Sequence, residues 1–322
     1  MNDDAVASAR SAPPAGDGSS KLTIFFRLTR AQFIPLVILP ALLGAAFSFS
    51  IYHRANLLYF ALTCVGVVLL HLGANAIDDS YDYQNGVDSI ANAMFPPDFG
   101  GWKPLPRGLI SLRGAKLISY TLLLGSLALA TLFWYLVGIW AFVLGLLGVM
   151  LAVVYTAPPL KLDYRGLALG EASIFLAFGP IPVLGSFYVQ SGALTLSALL
   201  VSVPVGLMTV TILLDHDLIF LEVYRSARKQ SLTAVLGRRR GLLFSLALTV
   251  VSYASVVLLV AGRVLPIWSL AAPIASLLVL ARKIPTFARP GEPPPFYVPF
   301  TVSAMLSNWV FALVLALSLV LL

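Results

Sequence analysis

The sequence predicts an all-α polytopic membrane protein with nine transmembrane helices, and three observations carry that prediction. Hydrophobic residues fill 59% of the 322 positions, charged residues only 11%, and mean hydropathy is +0.92, values that exclude an ordinary soluble domain. The apolar residues fall in runs of roughly 17 to 25, the length a helix needs to cross the hydrocarbon core. Cutting the chain at those runs also sorts its charges, because all of the 21 Lys and Arg except Arg54 and Arg263 then share one side. By the positive-inside rule that side is cytoplasmic, and a wrong span count would scramble the sorting.

In chain order the runs lie near 33–52, 57–77, 117–137, 139–157, 168–189, 194–214, 242–262, 264–281 and 297–321. The third and fourth are parted only by Gly138 and its neighbours, and the eighth is short. Residues 1–20, rich in Ala, Ser, Gly and Asp, read as a disordered cytoplasmic tail, leaving 21–322 as one membrane domain. The first run is too long and uninterrupted for a cleaved signal. A single cysteine, Cys64, excludes an internal disulfide and reads as packing. The net charge of +7 and pI near 9.6 do not indicate nucleic acid, since the basic residues are spread through membrane-proximal loops without a recognition module. Anionic headgroups or phosphates account for them.

All 14 acidic residues, from Asp3 to Glu292, lie on the cytoplasmic side or within a turn of it, the last being Glu171. Mid-membrane depth, where transporters keep functional ionisable groups, is nearly free of charge, so a site at the cytoplasmic interface fits better than a conduction path. The second run leads straight into Asn75-Ala-Ile-Asp78-Asp79-Ser-Tyr-Asp82 and on to Asp88. If the helix continues, Asn75, Asp79 and Asp82 stack one amide and two carboxylates on one face. Mg²⁺ prefers one or two carboxylates and shares its remaining shell with substrate phosphates, so this face suits it, with Asp78 beside it. A solvated, helix-terminating acidic loop is the other reading.

Two cytoplasmic loops are long and polar, 78–116 and 215–241, as functional loops tend to be. The first continues to Gly100-Gly101-Trp102-Lys103-Pro-Leu-Pro-Arg107-Gly108, where the glycines allow close backbone approach and Lys103 and Arg107 offer donors to a diphosphate or to headgroups. The second reads Asp215-His216-Asp217-Leu-Ile-Phe220-Leu-Glu222-Val-Tyr224-Arg225-Ser-Ala-Arg228-Lys229. On a continuous helix Asp215, Glu222 and Lys229 share a stripe that would face the first acidic cluster. His216 lacks companion ligands and reads as a hydrogen-bonding residue. A third segment, Tyr155 to Gly166, breaks at Pro158 and Pro159 and brings Lys161 and Arg165 within reach of the same phosphates.

These three segments, in this order and at these spacings, resemble the UbiA-type intramembrane prenyltransferases, most of all their 1,4-dihydroxy-2-naphthoate polyprenyltransferase branch. Asn75 to Asp88 is similar to that branch's Asn-x-x-Asn-Asp-Tyr-Phe-Asp-Tyr-x-x-Gly-Val-Asp, and Gly100 to Lys103 to its Gly-Gly-Ser-Arg. Tyr164 to Glu171, Phe178-Gly179-Pro180 and Tyr188 to Gly192 look like its fifth helix. The resemblance implies nine helices around a central cavity. It further implies a polyprenyl diphosphate held through Mg²⁺ by two acidic motifs, and prenyl transfer to an aromatic acceptor, as in menaquinone synthesis. Carried over, Asn75, Asp79 and Asp82 would hold metal, Asp88 would assist, and Lys103 would take the place of the family's basic residue; Asp79, Asp82, Lys103, Lys161 and Lys229 are the catalytic candidates. Arg107, Arg165 and Arg228 would join Asn75, Lys103 and Lys229 around the diphosphate.

One departure is evident. Aligning Lys229-Gln-Ser-Leu232 with the family's Lys-Arg-Thr-Leu sets Phe220 and Tyr224 where the second Asp-x-x-x-Asp belongs, and neither ligates Mg²⁺ as a carboxylate does. Asp217 and Glu222 are the expected substitutes; one-metal operation and loss of activity stay open. Two competing readings also stand. A CDP-alcohol phosphotransferase would need an Asp-Gly-x-x-Ala-Arg start, which is absent. A transporter, or a relative that binds prenyl diphosphate or quinone without turnover, draws its support from Phe220 and Tyr224.

Overall fold

The structure, a computed structural model, describes residues 18–95, 103–281 and 298–320. Every regular element among these is helical. A short surface helix, α1 (Lys21–Leu28), precedes α2 (Pro35–Tyr52), α3 (Leu57–Gln84) and the short α4 (Val87–Met94). The chain continues through α5 (Leu112–Leu136), α6 (Ile139–Thr156), α7 (Leu169–Phe178), α8 (Pro180–Ser191) and α9 (Leu196–Ser226). It ends with α10 (Leu232–Leu236), α11 (Arg238–Ala261), α12 (Ala271–Leu280) and α13 (Val298–Val320). The tail expected over 1–20 falls outside the described residues up to residue 17, as do Gly100, Gly101 and Trp102.

Eight segments among the described residues are long and apolar enough to cross a bilayer, one of them formed by α7 and α8 in line. The chain is a multi-pass membrane protein. The count differs from nine at the run 264–281, which forms a 3₁₀ turn, Ile267–Leu270, and the ten-residue α12. Ile267–Leu280 would reach about 21 Å at the α-helical rise, short of the roughly 30 Å hydrocarbon core. In the other direction, α3 and α9 run well past their apolar stretches, so 78–84 and 215–226 are helix rather than loop. Their caps explain this. Gly86, at φ 85°, takes the left-handed turn that ends α3, and in α9 no Pro or Gly occurs between Gly206 and Ala227.

Packing divides the molecule around a central space. On one side α2 lies against α8 and α13, and Leu43, Phe47, Val183, Phe187, Val205, Met208 and Phe311 form the main core. A Cβ on Gly44 would stand 2.2 Å from the Val183 carbonyl, so glycine is what lets α2 and α8 touch. On the other side α3 runs along α5 and α6. Between them is a cavity of about 500 Å³ lined by one face of α3, with Leu62, Gly66, Leu70, Ala74, Asp78 and Asp82 at every fourth position. From Leu62 to Asp78 that face is about 24 Å long at the helical rise. It is apolar for most of its length and acidic at one end.

Candidate active site

The acidic end of the cavity is built where four backbone features converge. The extension of α3 carries Asp78, Asp79 and Asp82 past the apolar run, and α4 brings Asp88 back toward them; all four line the cavity. Arg30, held at φ 49° between α1 and the 3₁₀ turn before α2, reaches Asp78 at 3.1 Å and also pairs with Asp79. Lys103 lies 2.7 Å from Asp79 and 3.3 Å from Asp88. Burial alone would depress the Lys103 ammonium, but Asp79 and Asp88 outweigh it and hold the pKa above its usual value. Burial pushes Asp88 up to about 8 against the pull of Lys103.

The opposite corner is fastened by Lys229. Helix α9 closes with a Schellman pattern in which Lys229 N–H donates to the Tyr224 carbonyl (2.8 Å) and Arg228 N–H to that of Arg225 (3.2 Å). Arg228 takes the left-handed position at φ 57° where glycine is usual. The reversal turns Lys229 inward, so the stripe expected for Asp215, Glu222 and Lys229 does not exist: the helix ends before its third member. Lys229 Nζ stands 2.6 Å from Asp163 and 3.2 Å from Asp82, and 4.8 and 5.1 Å from the ring centres of Tyr224 and Tyr164. Desolvation opposes its charge, yet Asp163 and Asp82 keep it well above the ordinary lysine value. Asp163, in the 3₁₀ turn after the Pro158-Pro159 cis peptide, is pushed by burial up to about 7 although Lys229 resists. Tyr164 donates its hydroxyl to Asp82. Gly170 makes room for this turn, since a Cβ there would stand 2.7 Å from Asp163 Oδ1.

Of the residues singled out from the sequence, Asn75, Asp78, Asp79, Asp82, Lys103 and Lys229 meet at the cavity. Asp88, His216, Phe220 and Tyr224 line it as well, whereas Arg107, Lys161, Arg165, Asp217, Glu222 and Arg228 do not. Lys161 donates to Asn85 at 2.7 Å, and Arg165 to the Pro159 and Leu160 carbonyls at 2.9 and 2.7 Å. Arg107 and Arg228 lie off the cavity wall, and Asp217 is buried behind it. Glu222 faces the other way, toward Arg225 at 3.6 Å and Arg238 at 3.5 Å, which removes it as a substitute ligand. The cavity face of α9 instead presents His216, Phe220 and Tyr224, with stacked ring centres 4.7 and 6.2 Å apart.

Residues 37–303 match the UbiA prenyltransferase family. The chain belongs to that family. Among its UbiA-family relatives is the 1,4-dihydroxy-2-naphthoate octaprenyltransferase of Bacillus subtilis, 24% identical over 246 residues that cover 76% of each chain. UbiA prenyltransferase domain-containing protein 1 of Dictyostelium discoideum is 32% identical over 203 residues, 60% of this chain and 58% of the relative. A solved UbiA homolog from Archaeoglobus fulgidus, bound to GPP and Mg²⁺, shares the fold with a TM-score of 0.63 at 17% identity over 91% of this chain and 99% of that one. As a UbiA-family member the chain is a prenyltransferase.

Reading the sequence missed Arg30, Asp163 and Tyr164 as parts of the UbiA-type site. Arg30 lies far from Asp79 in sequence and looks like any basic residue before a span, and Asp163 is a single acid after two prolines; neither has a local spacing signal. Among the described residues no three His, Cys, Asp or Glu side chains form a ready metal cage. The first motif nonetheless fits a divalent ion: Asp78 Oδ1 and Asp88 Oδ2 are buried beside the cavity with no hydrogen-bond partner.

Proposed function

We propose that this prenyltransferase moves a polyprenyl group from an allylic diphosphate to an aromatic acceptor of the 1,4-dihydroxy-2-naphthoate type, with Mg²⁺ assisting release of pyrophosphate. The observation that supports this most is the polarity of one continuous cavity, with a long apolar face on α3 that ends at four carboxylates and at Arg30, Lys103 and Lys229. An isoprenoid tail matches the apolar length, and its diphosphate matches the charged end. The named activity of the Bacillus subtilis relative supports the acceptor class.

Asn75, Asp78, Asp79 and Asp82 would hold the ion, with Asp88 beside them, and the ion would neutralise charge that develops on the leaving pyrophosphate. Lys103 and Lys229 add donors for the phosphate oxygens, while Arg30 orients Asp78 and Asp79. The bond from C1 to the bridging oxygen breaks with its electron pair leaving on pyrophosphate, a ring carbon of the acceptor bonds to C1 and then gives up its proton, or its carboxylate as CO2, to restore the aromatic ring, and the apolar walls keep water from the cation in between. The basic-residue bias puts this end of the cavity on the cytoplasmic side.

The test is pyrophosphate release by purified protein given Mg²⁺, geranylgeranyl diphosphate and 1,4-dihydroxy-2-naphthoate, with removal of Mg²⁺ by EDTA as the control. Release that depends on both acceptor and metal is expected. Tight binding of the diphosphate without release, whatever aromatic acceptor is offered, would favour a second reading, a non-catalytic binder of prenyl diphosphate or quinone. Phe220 and Tyr224 are the observation in its favour.

A further inference from the structure

We infer that this chain holds one divalent cation rather than the two implied by paired acidic motifs, and that the Lys229 ammonium is the fixed second positive charge facing the diphosphate. The inference rests on the prenyl-diphosphate reading and concerns how its site is charged.

The two walls of the charged end differ in kind. The α3–α4 wall offers Asp78, Asp79, Asp82 and Asp88, and two of its buried carboxylate oxygens lack a hydrogen-bond partner, Asp78 Oδ1 and Asp88 Oδ2. Asp88 is 2% exposed and borders the cavity. The α9 wall offers no carboxylate. Positions 216, 220 and 224 are the ones its helical period turns inward, and they are His, Phe and Tyr. Asp217 lies off that face, and Glu222 is half exposed beside Arg225 and Arg238. Mg²⁺ demands oxygen ligands in near-octahedral order, and a phenyl ring supplies none.

What the α9 side supplies instead is a cation. Lys229 is 5% exposed, borders the cavity, and is held by Asp163 at 2.6 Å and Asp82 at 3.2 Å with two tyrosine rings beside it. Ring faces stabilise an ammonium where they cannot ligate a metal. A divalent ion seated at Phe220 and Tyr224 would therefore meet a like charge and no carboxylate from the cavity face of α9, whereas the ammonium, paired with Asp163 and Asp82, already occupies the place of a positive charge on that side. Three cations, Arg30, Lys103 and Lys229, pair with five carboxylates, Asp78, Asp79, Asp82, Asp88 and Asp163.

The experiment counts metal. Full-length protein in detergent, saturated with geranyl S-thiolodiphosphate, is titrated with Mn²⁺, and bound ions are read from the loss of the free-ion EPR signal. One Mn²⁺ per chain without dipolar broadening is expected. Phe220→Asp combined with Tyr224→Asp is expected to raise the count to two and to introduce Mn–Mn broadening. Lys229→Met is expected to keep one ion while weakening analogue binding at least tenfold, and Lys229→Arg to restore most of that affinity. Two coupled ions in the natural chain, or unchanged analogue affinity in Lys229→Met, would overturn the inference and leave the prenyl-diphosphate reading standing. Binding of neither Mn²⁺ nor analogue would overturn both. The count on the natural chain decides the matter even if a variant fails to fold.

Discussion

Asp79 and Asp82 illustrate how one turn of helix serves two sides of a substrate. Asp79 is buried against Arg30 and Lys103, and Asp82 against Tyr164 and Lys229. Changing either to Ala removes a carboxylate and leaves Arg30 and Lys103, or Lys229, with one carboxylate partner in place of two, a loss that goes beyond a single ligand. Each variant is expected to lower Mg²⁺-dependent prenyl transfer by at least about 100-fold, the scale of losing one preorganised transition-state contact, measured as prenylated product per hour. Arg228 makes the opposite case. It sits in the left-handed place of the α9 cap, away from the cavity, so Arg228→Gly is expected to keep product formation near that of the natural chain. A collapse of activity in that variant would return Arg228 to the diphosphate site.

At the scale of elements, close approach decides what the site can hold. Gly170 lets α7 pack on the Asp163 turn, and Gly170→Val is expected to displace Asp163 from Lys229 and weaken diphosphate binding, as isothermal titration with inorganic pyrophosphate would show. Gly44→Leu, between α2 and α8, overpacks a contact that has no slack; a loss of about 1–3 kcal/mol, seen as a lower Tm in detergent, is expected. Such contacts also mark the limit of what could be read from the chain. The apolar runs and the α3 stripe were legible because helical period and membrane thickness both leave local patterns, and Asn75, Asp78, Asp79 and Asp82 do share the cavity. The end of α9 was not legible, since Arg228 stands where a glycine would signal a cap, and Lys229 therefore looked like a continuation of the helix. Arg30 and Asp163 join the cluster through tertiary contacts alone. The run 264–281 was apolar enough to suggest a span, and among the described residues it folds as a 3₁₀ turn followed by a ten-residue helix.

Taken whole, the molecule is a tunnel with one charged end, and the apolar remainder sets which tails fit. Gly185 lines that tunnel, and a Cβ there would meet nothing within 4 Å. Gly185→Phe is expected to fill this space and raise KM for long prenyl diphosphates while sparing geranyl diphosphate, so a chain-length series would show a shortened cutoff. An unchanged series would mean that the tail leaves the tunnel before reaching α8. The charged end has a further connection, through α1. Leu22 and Phe26 on that short helix are 65% and 49% exposed, while Arg30, just beyond it, grips Asp78 and Asp79. A short helix with an exposed apolar side is thus followed directly by the guanidinium that fixes two carboxylates at the mouth of the charged chamber.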